Sequence, residues 1–213
     1  DPTADSNGSV NITMALVEVY KITKDERYLQ TAVSSMEFYV RRDIDEFVCT
    51  AGAIDCTCVD KETAGPFIIS ALDLYEITGD KKYIDYAQRA AYYFCSWLFH
   101  YDALYPPEAE FNQYGYYTAG STSVSTQHPA LDQWGELMCP EFLRLHRITG
   151  DEKWQIRAKM MWYNATQLIA TEDTPPIHGV KRPVGSQNEA FFHCRWGHRP
   201  DCNDRGHLND WLV

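Results

Sequence analysis

The chain has 213 residues, 45% hydrophobic and 23% charged, with 19 Lys+Arg against 30 Asp+Glu for a net charge of −11. This is ordinary globular composition at a length that supports a sizeable core, which excludes a wholly disordered chain. The acidic balance argues against a general binder of nucleic acid or of anionic membranes, because no basic field exists to attract phosphates.

The opening DPTADSNGSVN is polar and has neither the basic nor the apolar region of a signal peptide. No apolar run reaches the length of a membrane-spanning helix. From Leu16 the segment LVEVYKITKDERYLQTAVSSMEFYV has a form that returns at Leu72, as LDLYEITGDKKYIDYAQRAAYYF, and at Phe142, as FLRLHRITGDEKWQIRAKMMWYNATQLI. Each copy runs from an apolar helix end through an aromatic or His residue and an Ile-Thr-(Gly/Lys)-Asp turn into a second helix opening at Tyr or Trp. Tyr20, Tyr75 and His146 correspond, as do Tyr28, Tyr83 and Trp154, at spacings of 55 and 71 residues. Gly79 and Gly150 stand where a helix C-cap wants a left-handed residue. Asp80 and Asp151 follow as N-caps for the next helix. Lys24 replaces the glycine in the first copy, which predicts a slightly different or strained turn. Each copy is therefore expected to be a tight helical hairpin.

The helix after each turn carries one apolar stripe: Leu29, Ala32, Val33, Met36 and Val40; Tyr83, Ala87, Ala90, Phe94 and Trp97; Trp154, Ala158, Met161, Ala165 and Leu168. The helix before the turn is apolar nearly all round, as in Phe67-Ile68-Ile69 through Leu72, Leu74 and Ile77. Such a helix is buried on both sides. Inner helix, short turn and outer helix predict an all-α fold, an α/α toroid of helical hairpins. Three long connections, about Arg41–Glu62, His100–Leu131 and Thr171–Asn188, each precede an inner helix. They are expected to emerge at one end and to build a site over its mouth.

The repeated hairpins, their ITGD turns and the long loops before the inner helices resemble the six-hairpin glycosidase superfamily over roughly Val10–Leu168. The superfamily includes unsaturated glucuronyl and rhamnogalacturonyl hydrolases. The segments STQHPALDQWGELMCPEFLRLHRITGDEKW, from Ser125, and RPVGSQNEAFFHCRWGHRPDCNDRGHLNDWLV, from Arg182, are similar to motifs of an uncharacterised bacterial branch. The resemblance implies the toroid and a carbohydrate ligand. The toroid also hosts lyases, epimerases and non-catalytic proteins, and no characterised catalytic pair maps onto these segments residue by residue. At a mean spacing of 63 residues, six hairpins need about 380. The sequence holds three hairpins and, at Trp211–Leu212–Val213, what reads as the start of a fourth inner helix. The expectation is one domain over residues 1–213, three to four hairpins of a six-hairpin ring, completed by the remainder of the ring or by self-association.

Candidate chemistry lies in the loops. Thr126–Glu136 crowds His128, Asp132, Gln133, Trp134 and Glu136 at a predicted helix start, with Asp132 and Glu136 four apart on one face. A buried carboxyl there suits acid/base catalysis, and Trp134 suits stacking on a sugar ring. Capping by Asp132 and a solvated Glu136 is the competing explanation, and it weighs more heavily on Glu136. Ser186–Gln187–Asn188–Glu189 reads as a second helix start, with Gln187 and Asn188 suited to sugar hydroxyls, Glu189 as the second carboxylate and His193 four residues on. Asp132, Glu189, His128 and His193 are thus the catalytic candidates. Trp134, Gln187, Asn188, Trp196, Tyr114 and Asp210 are the substrate-binding ones, with Asp210 placed at the start of the last helix.

Six aromatics in Tyr101–Tyr117, Tyr114 among them, form either a saccharide surface or a self-packed lid. Cys194, His198, Cys202 and His207 have ligand chemistry for structural zinc but not a common finger spacing. Free thiols and surface histidines are the default, so no metal or other cofactor is expected. Cys56-x-Cys58 is too short for a zinc knuckle, and Asp55 and Asp60 beside it read as acids on the loop rim. Seven cysteines form no disulfide framework, with Cys95 and Cys139 expected as buried thiols, which leans towards a reducing, cytoplasmic compartment. Of the sequons at Asn7, Asn11 and Asn164, the last falls inside a helix and reads as chance. The expected function is a glycoside hydrolase with paired carboxylates. A sugar epimerase or polysaccharide lyase and a non-catalytic helical binding module are the alternatives.

Overall fold

The computed structural model describes residues 8–51, 58–126, 131–132, 134–167, 169–174, 181–188, 190–191 and 210–212. In chain order these form α1 (Gly8–Thr23), α2 (Glu26–Tyr39) with a π-helical extension Val40–Ile44, β1 (Thr50–Ala51), β2 (Cys58–Val59), α3 (Ala64–Thr78) and α4 (Lys82–Cys95). There follow α5 (Glu110–Gln113), β3 (Thr122–Ser123), β4 (Leu131–Asp132), a 3₁₀ turn Trp134–Met138, α6 (Cys139–Thr149), α7 (Glu152–Ala165), β5 (Ser186–Asn188), β6 (Ala190–Phe191) and β7 (Asp210–Leu212). Helices dominate, and the strands are two or three residues long.

The three hairpins α1–α2, α3–α4 and α6–α7 turn by one mechanism. Thr23, Thr78 and Thr149 each donate a hydroxyl to the carbonyl four residues back, at 2.8, 2.7 and 2.7 Å. Each hydroxyl then accepts the amide of the turn aspartate, at 3.3, 3.2 and 3.2 Å. Asp25, Asp80 and Asp151 accept the amide two residues on, all at 3.0 Å, which caps the outgoing helix. Between Thr and Asp sits a left-handed residue: Lys24 at φ 56°, Gly79 and Gly150 at 72°. Lys24 adopts this conformation with a Cβ that crowds the following carbonyl. Lys24→Gly is therefore expected to raise stability by about 0.5–1 kcal/mol, relief of strain outweighing glycine's entropy, read as a higher urea midpoint at constant slope.

The chain divides into two compact units, one of Asp1–Trp97, Val124–His128 and Pro140–Ile156, the other of Leu98–Ser123, Pro129–Cys139 and Arg157–Val213. In the first, α3 packs against α1 and α4, and α1 against α2. Phe67, Ile68, Ala71, Leu72 and Leu74 of α3 are buried, as are Ala32 and Met36 of α2 and Tyr83, Ala87, Ala90 and Phe94 of α4. Phe142 stands edge-on to Phe94 at 5.8 Å and to Trp154 at 5.7 Å. Buried Asp73 of α3 takes two cations: Lys21 of α1 at 2.7 Å and Arg144 of α6 at 2.8 Å. Arg144 also pairs with Glu76 at 2.9 Å and Glu141 at 2.7 Å.

In the second unit Tyr105, Ala109, Phe111, Tyr116 and Leu131 form a small core, against which Phe99, Ala103 and Tyr114 pack. The Phe111 and Tyr116 rings stack at 4.8 Å. The loop aromatics therefore build a self-packed lid, with Tyr101 and Tyr117 left exposed. Asn164 is buried and donates its amide to the carbonyls of Tyr117 at 2.8 Å and Ala119 at 3.2 Å. Its sequon is committed to packing. The strand order is β3-β4-β6, with β5 paired separately to β7.

Two helix starts read from the sequence are strands. Ser186, Gln187 and Asn188 lie opposite Leu212, Trp211 and Asp210 in an antiparallel pair, so neither Ser186–Asn188 nor Asp210 begins a helix. The segment is extended because its backbone bonds go to distant partners: Ala170 donates to Ser186 at 2.8 Å, and Gly185 donates to Ala170 at 2.7 Å. Among the described residues no helix is long and apolar enough to cross a membrane.

Candidate active site

Asp132 ends β4, whose register sets Thr122 opposite Asp132 on one side and Ala190 on the other. The Thr122 hydroxyl donates across the ladder to Asp132 Oδ1. The Trp134 amide donates to the same oxygen at 3.1 Å and fixes the start of the 3₁₀ turn. Asp132 is only 2% exposed. It therefore stands on a strand and not, as the four-residue spacing suggested, on a helical face shared with Glu136. It acts as the anchor of a turn.

Glu136 lies within that turn and is half-buried. Burial raises its pKa, and the Asp132 charge raises it further. Beside it the Cys139 thiol is pushed up to about 11, by burial first and Glu136 second, and donates to the Ala158 carbonyl at 3.2 Å. It is a neutral packing group at physiological pH, not a nucleophile. The site thus offers one carboxyl that holds its proton past the ordinary range, partly open to solvent, beside a second that is fixed. Environments that treat neighbouring carboxyls differently are how acid and base roles are divided. Sequence reasoning ranked the two the other way, because no local pattern shows that Asp132 stands in a ladder between Thr122 and Ala190.

The other candidates divide sharply. Trp134 is half-buried next to this pair. Tyr114 is partly buried and packs against the lid core. Gln187 is buried, its amide donating to the carbonyls of Ala165, at 2.6 Å, and Gln167, so that amide ties down the chain after α7. Asn188 and Asp210 are placed by backbone register opposite one another. His128, Glu189, His193 and Trp196 lie outside the described residues, though Ala190, next to Glu189 in sequence, is the ladder partner of Asp132. The Cys194, His198, Cys202, His207 tract and Asp55 also lie outside them. Among the described residues no group of three or more His, Cys, Asp or Glu is placed to hold a metal. Cys49, Cys58, Cys95 and Cys139 are buried free thiols.

The first unit holds a further acid that the sequence misplaced. Asp60 is not on a rim but fully buried. Burial pushes its carboxyl up to about 7; the Thr63 amide opposes this, the Glu62 charge adds to it and the Lys61 charge opposes it. The raised value makes the folded state the better proton binder. Its stabilising contribution is complete below the ordinary carboxylate range near 4 and is lost as pH rises through about 7.

The helical hairpins, their shared turn and the loop sites can be set beside known structures. An alpha-1,6-mannanase of Salegentibacter sp. HEL1_6, an inactive variant with two consecutive Asp-to-Asn changes in complex with alpha-1,6-mannotriose, superposes with a TM-score of 0.56 at 17% identity, over 80% of this chain and 50% of that one. A GH76 alpha-mannanase of Bacteroides thetaiotaomicron gives 0.52 at 18% identity, over 74% and 43%. A family 76 glycoside hydrolase from a bovine strain of that species gives 0.52 at 16%, over 81% and 37%. The fold is an α/α toroid of helical hairpins. At these identities the likeness concerns fold alone, and the chain spans half or less of each matched structure. The family model described as "Beta-L-arabinofuranosidase, GH127 catalytic domain" matches residues 2–94, the first two hairpins and Asp60, but not Asp132 or Glu136. No curated relative matches the sequence. The present sequence contains no two consecutive aspartates.

Proposed function

We propose that the protein is a carbohydrate-active glycoside hydrolase in which Glu136 is the general acid. The observation that carries this is a half-buried carboxyl with a raised pKa beside the anchored carboxyl of Asp132, in a chain whose fold neighbours are glycoside hydrolases. Glu136 would protonate the leaving oxygen. Asp132 would supply a fixed negative charge that keeps the proton on Glu136 until it is needed. Glu189 is the proposed second carboxylate, for water activation or nucleophilic attack, and its neighbour Ala190 pairs with Asp132. His128 and His193 support this chemistry, and Trp134 offers its indole to a sugar face, with Trp196, Asn188 and Asp210 as further contacts. The Gln187 amide has its partners already, which argues against a sugar contact through it.

The descriptions of the matched family and of the structural neighbours name different sugars, arabinofuranose and mannose, so the ligand class is a glycoside and not one sugar. Mass analysis after incubation with β-L-arabinofuranosides and α-1,6-manno-oligosaccharides tests the reading. Hydrolysis adds one water per bond cleaved. An unsaturated product would place the protein with the lyases, and turnover without change of mass with the epimerases.

A further inference from the structure

Three loop segments of the first unit meet at Asp60. Its amide donates to the Cys49 carbonyl at 3.1 Å, and its carbonyl accepts the Tyr93 hydroxyl of α4 at 2.7 Å. Residues 124–126 lie against it as an antiparallel strap. Lys61 donates to the Val124 carbonyl at 3.1 Å, Thr126 donates to Val59 at 3.0 Å, and Asp60 bridges Ser125. The Asp60 carboxyl itself has only a long bond, 3.4 Å, from the Thr63 amide to Oδ1. Oδ2 is buried with no hydrogen-bond partner, and so is the Thr63 hydroxyl at the start of α3.

A neutral carboxyl tolerates such a place; a carboxylate does not, since an unpaired buried charge is among the costliest groups a fold can hold. The surroundings supply little relief. Glu62 repels and Lys61 attracts. The Cys49 thiol and the Tyr93 phenol are themselves raised by burial and stay neutral, and the strap residues Val124, Ser125 and Thr126 carry no charge. The Asp60 backbone is fixed to Cys49 and Tyr93, so it cannot carry the charge outward. The strap, exposed at Thr126 and held by its backbone bonds to 59–61, is the part able to yield.

We propose that Asp60 is a proton-operated latch: neutral, it lets residues 124–126 close over the start of α3, and ionised, it drives the strap off and opens the Thr63 hydroxyl and the Asp60 carboxylate to solvent. The two states differ by one proton, and the strap equilibrium follows it. A midpoint about three units above an ordinary aspartate corresponds to a change in that equilibrium of up to about a thousandfold between acidic and alkaline pH.

Hydrogen–deuterium exchange of the intact protein, corrected for intrinsic rates and followed from about pH 5 to about pH 9, tests this. Protection of the Lys61 and Thr126 amides should fall at least tenfold as pH passes about 7, while the α3–α4 hairpin stays protected. In Asp60→Asn the same amides should show no such fall. A pH-independent strap in the wild type, or an unchanged fall in Asp60→Asn, overturns the proposal. A second measurement stands apart from the folding of that variant. Infrared titration of the protonated carboxyl band should give a midpoint near 7 in the wild type. It should fall towards the ordinary aspartate range in Thr126→Pro, which lacks the strap amide. An unmoved midpoint in Thr126→Pro would show that the strap does not enclose the acid.

Discussion

Glu136→Gln is expected to lower kcat on a cleaved glycoside by about 10²–10⁴-fold, the usual contribution of a positioned general acid, while unfolding stability stays within about 0.5 kcal/mol. The glutamine keeps the shape but has no proton to give. In the wild type the rate should fall as pH rises through the raised Glu136 pKa, because the acid form is lost there. Asp132→Asn supplies the complementary result. An asparagine oxygen can still accept from Thr122 and the Trp134 amide, so the turn survives, but the charge that raises Glu136 is gone. The alkaline limb of the pH–rate profile should therefore move to lower pH. A Glu136→Gln protein with undiminished kcat would remove Glu136 from the mechanism.

Gly120→Ala should be the most damaging conservative change in the second unit, costing about 2–5 kcal/mol from left-handed strain and overpacking together. Gly120 has φ +94°, and an added Cβ would overlap the Met160 carbonyl oxygen, lie 2.7 Å from its carbon and 2.9 Å from Asn164 Cβ. These are atoms of α7, which has no flexible end to move aside. The Gly120 amide is also held by the Phe99 carbonyl at 2.8 Å, so the loop cannot retreat without losing that bond. The denaturation midpoint and the near-ultraviolet signal of the stacked lid rings should both fall. Wild-type stability in the alanine variant would mean that the approach to α7 is looser than these distances.

The hairpins were legible in the sequence because their chemistry is local. A threonine, a left-handed residue and a capping aspartate within three positions dictate the turn, and the structure repeats it three times. The inner character of α3 was legible for a similar reason, since a helix apolar on every side has few alternatives. The site was less so. β4, β5 and β7 are too short to show a period of two, and their identity comes from partners tens of residues away, such as Ala190 for Asp132 and Leu212 for Ser186. A polar run such as Ser186–Glu189 resembles a helix cap until its partner is known. Gln187 looks like a ligand group until the carbonyls of Ala165 and Gln167 claim it. Asp60, followed by Lys61 and Glu62, has the composition of a surface loop, and no local pattern says that residues 124–126 pair with its backbone. The aromatic lid was visible as an excess of rings, but its inward packing was not.

The carboxylate of Asp73 has an implication for the order in which this chain acquires its structure. Its two cations lie 52 residues before it and 71 residues after it. A chain emerging from its N-terminus can bring Lys21 and Asp73 together as soon as α1 meets α3, but Arg144 arrives only with the third hairpin. Until then the Asp73 carboxyl has only one of its two cations. The guanidinium of Arg144 thus makes the second ion pair of Asp73 depend on the third hairpin.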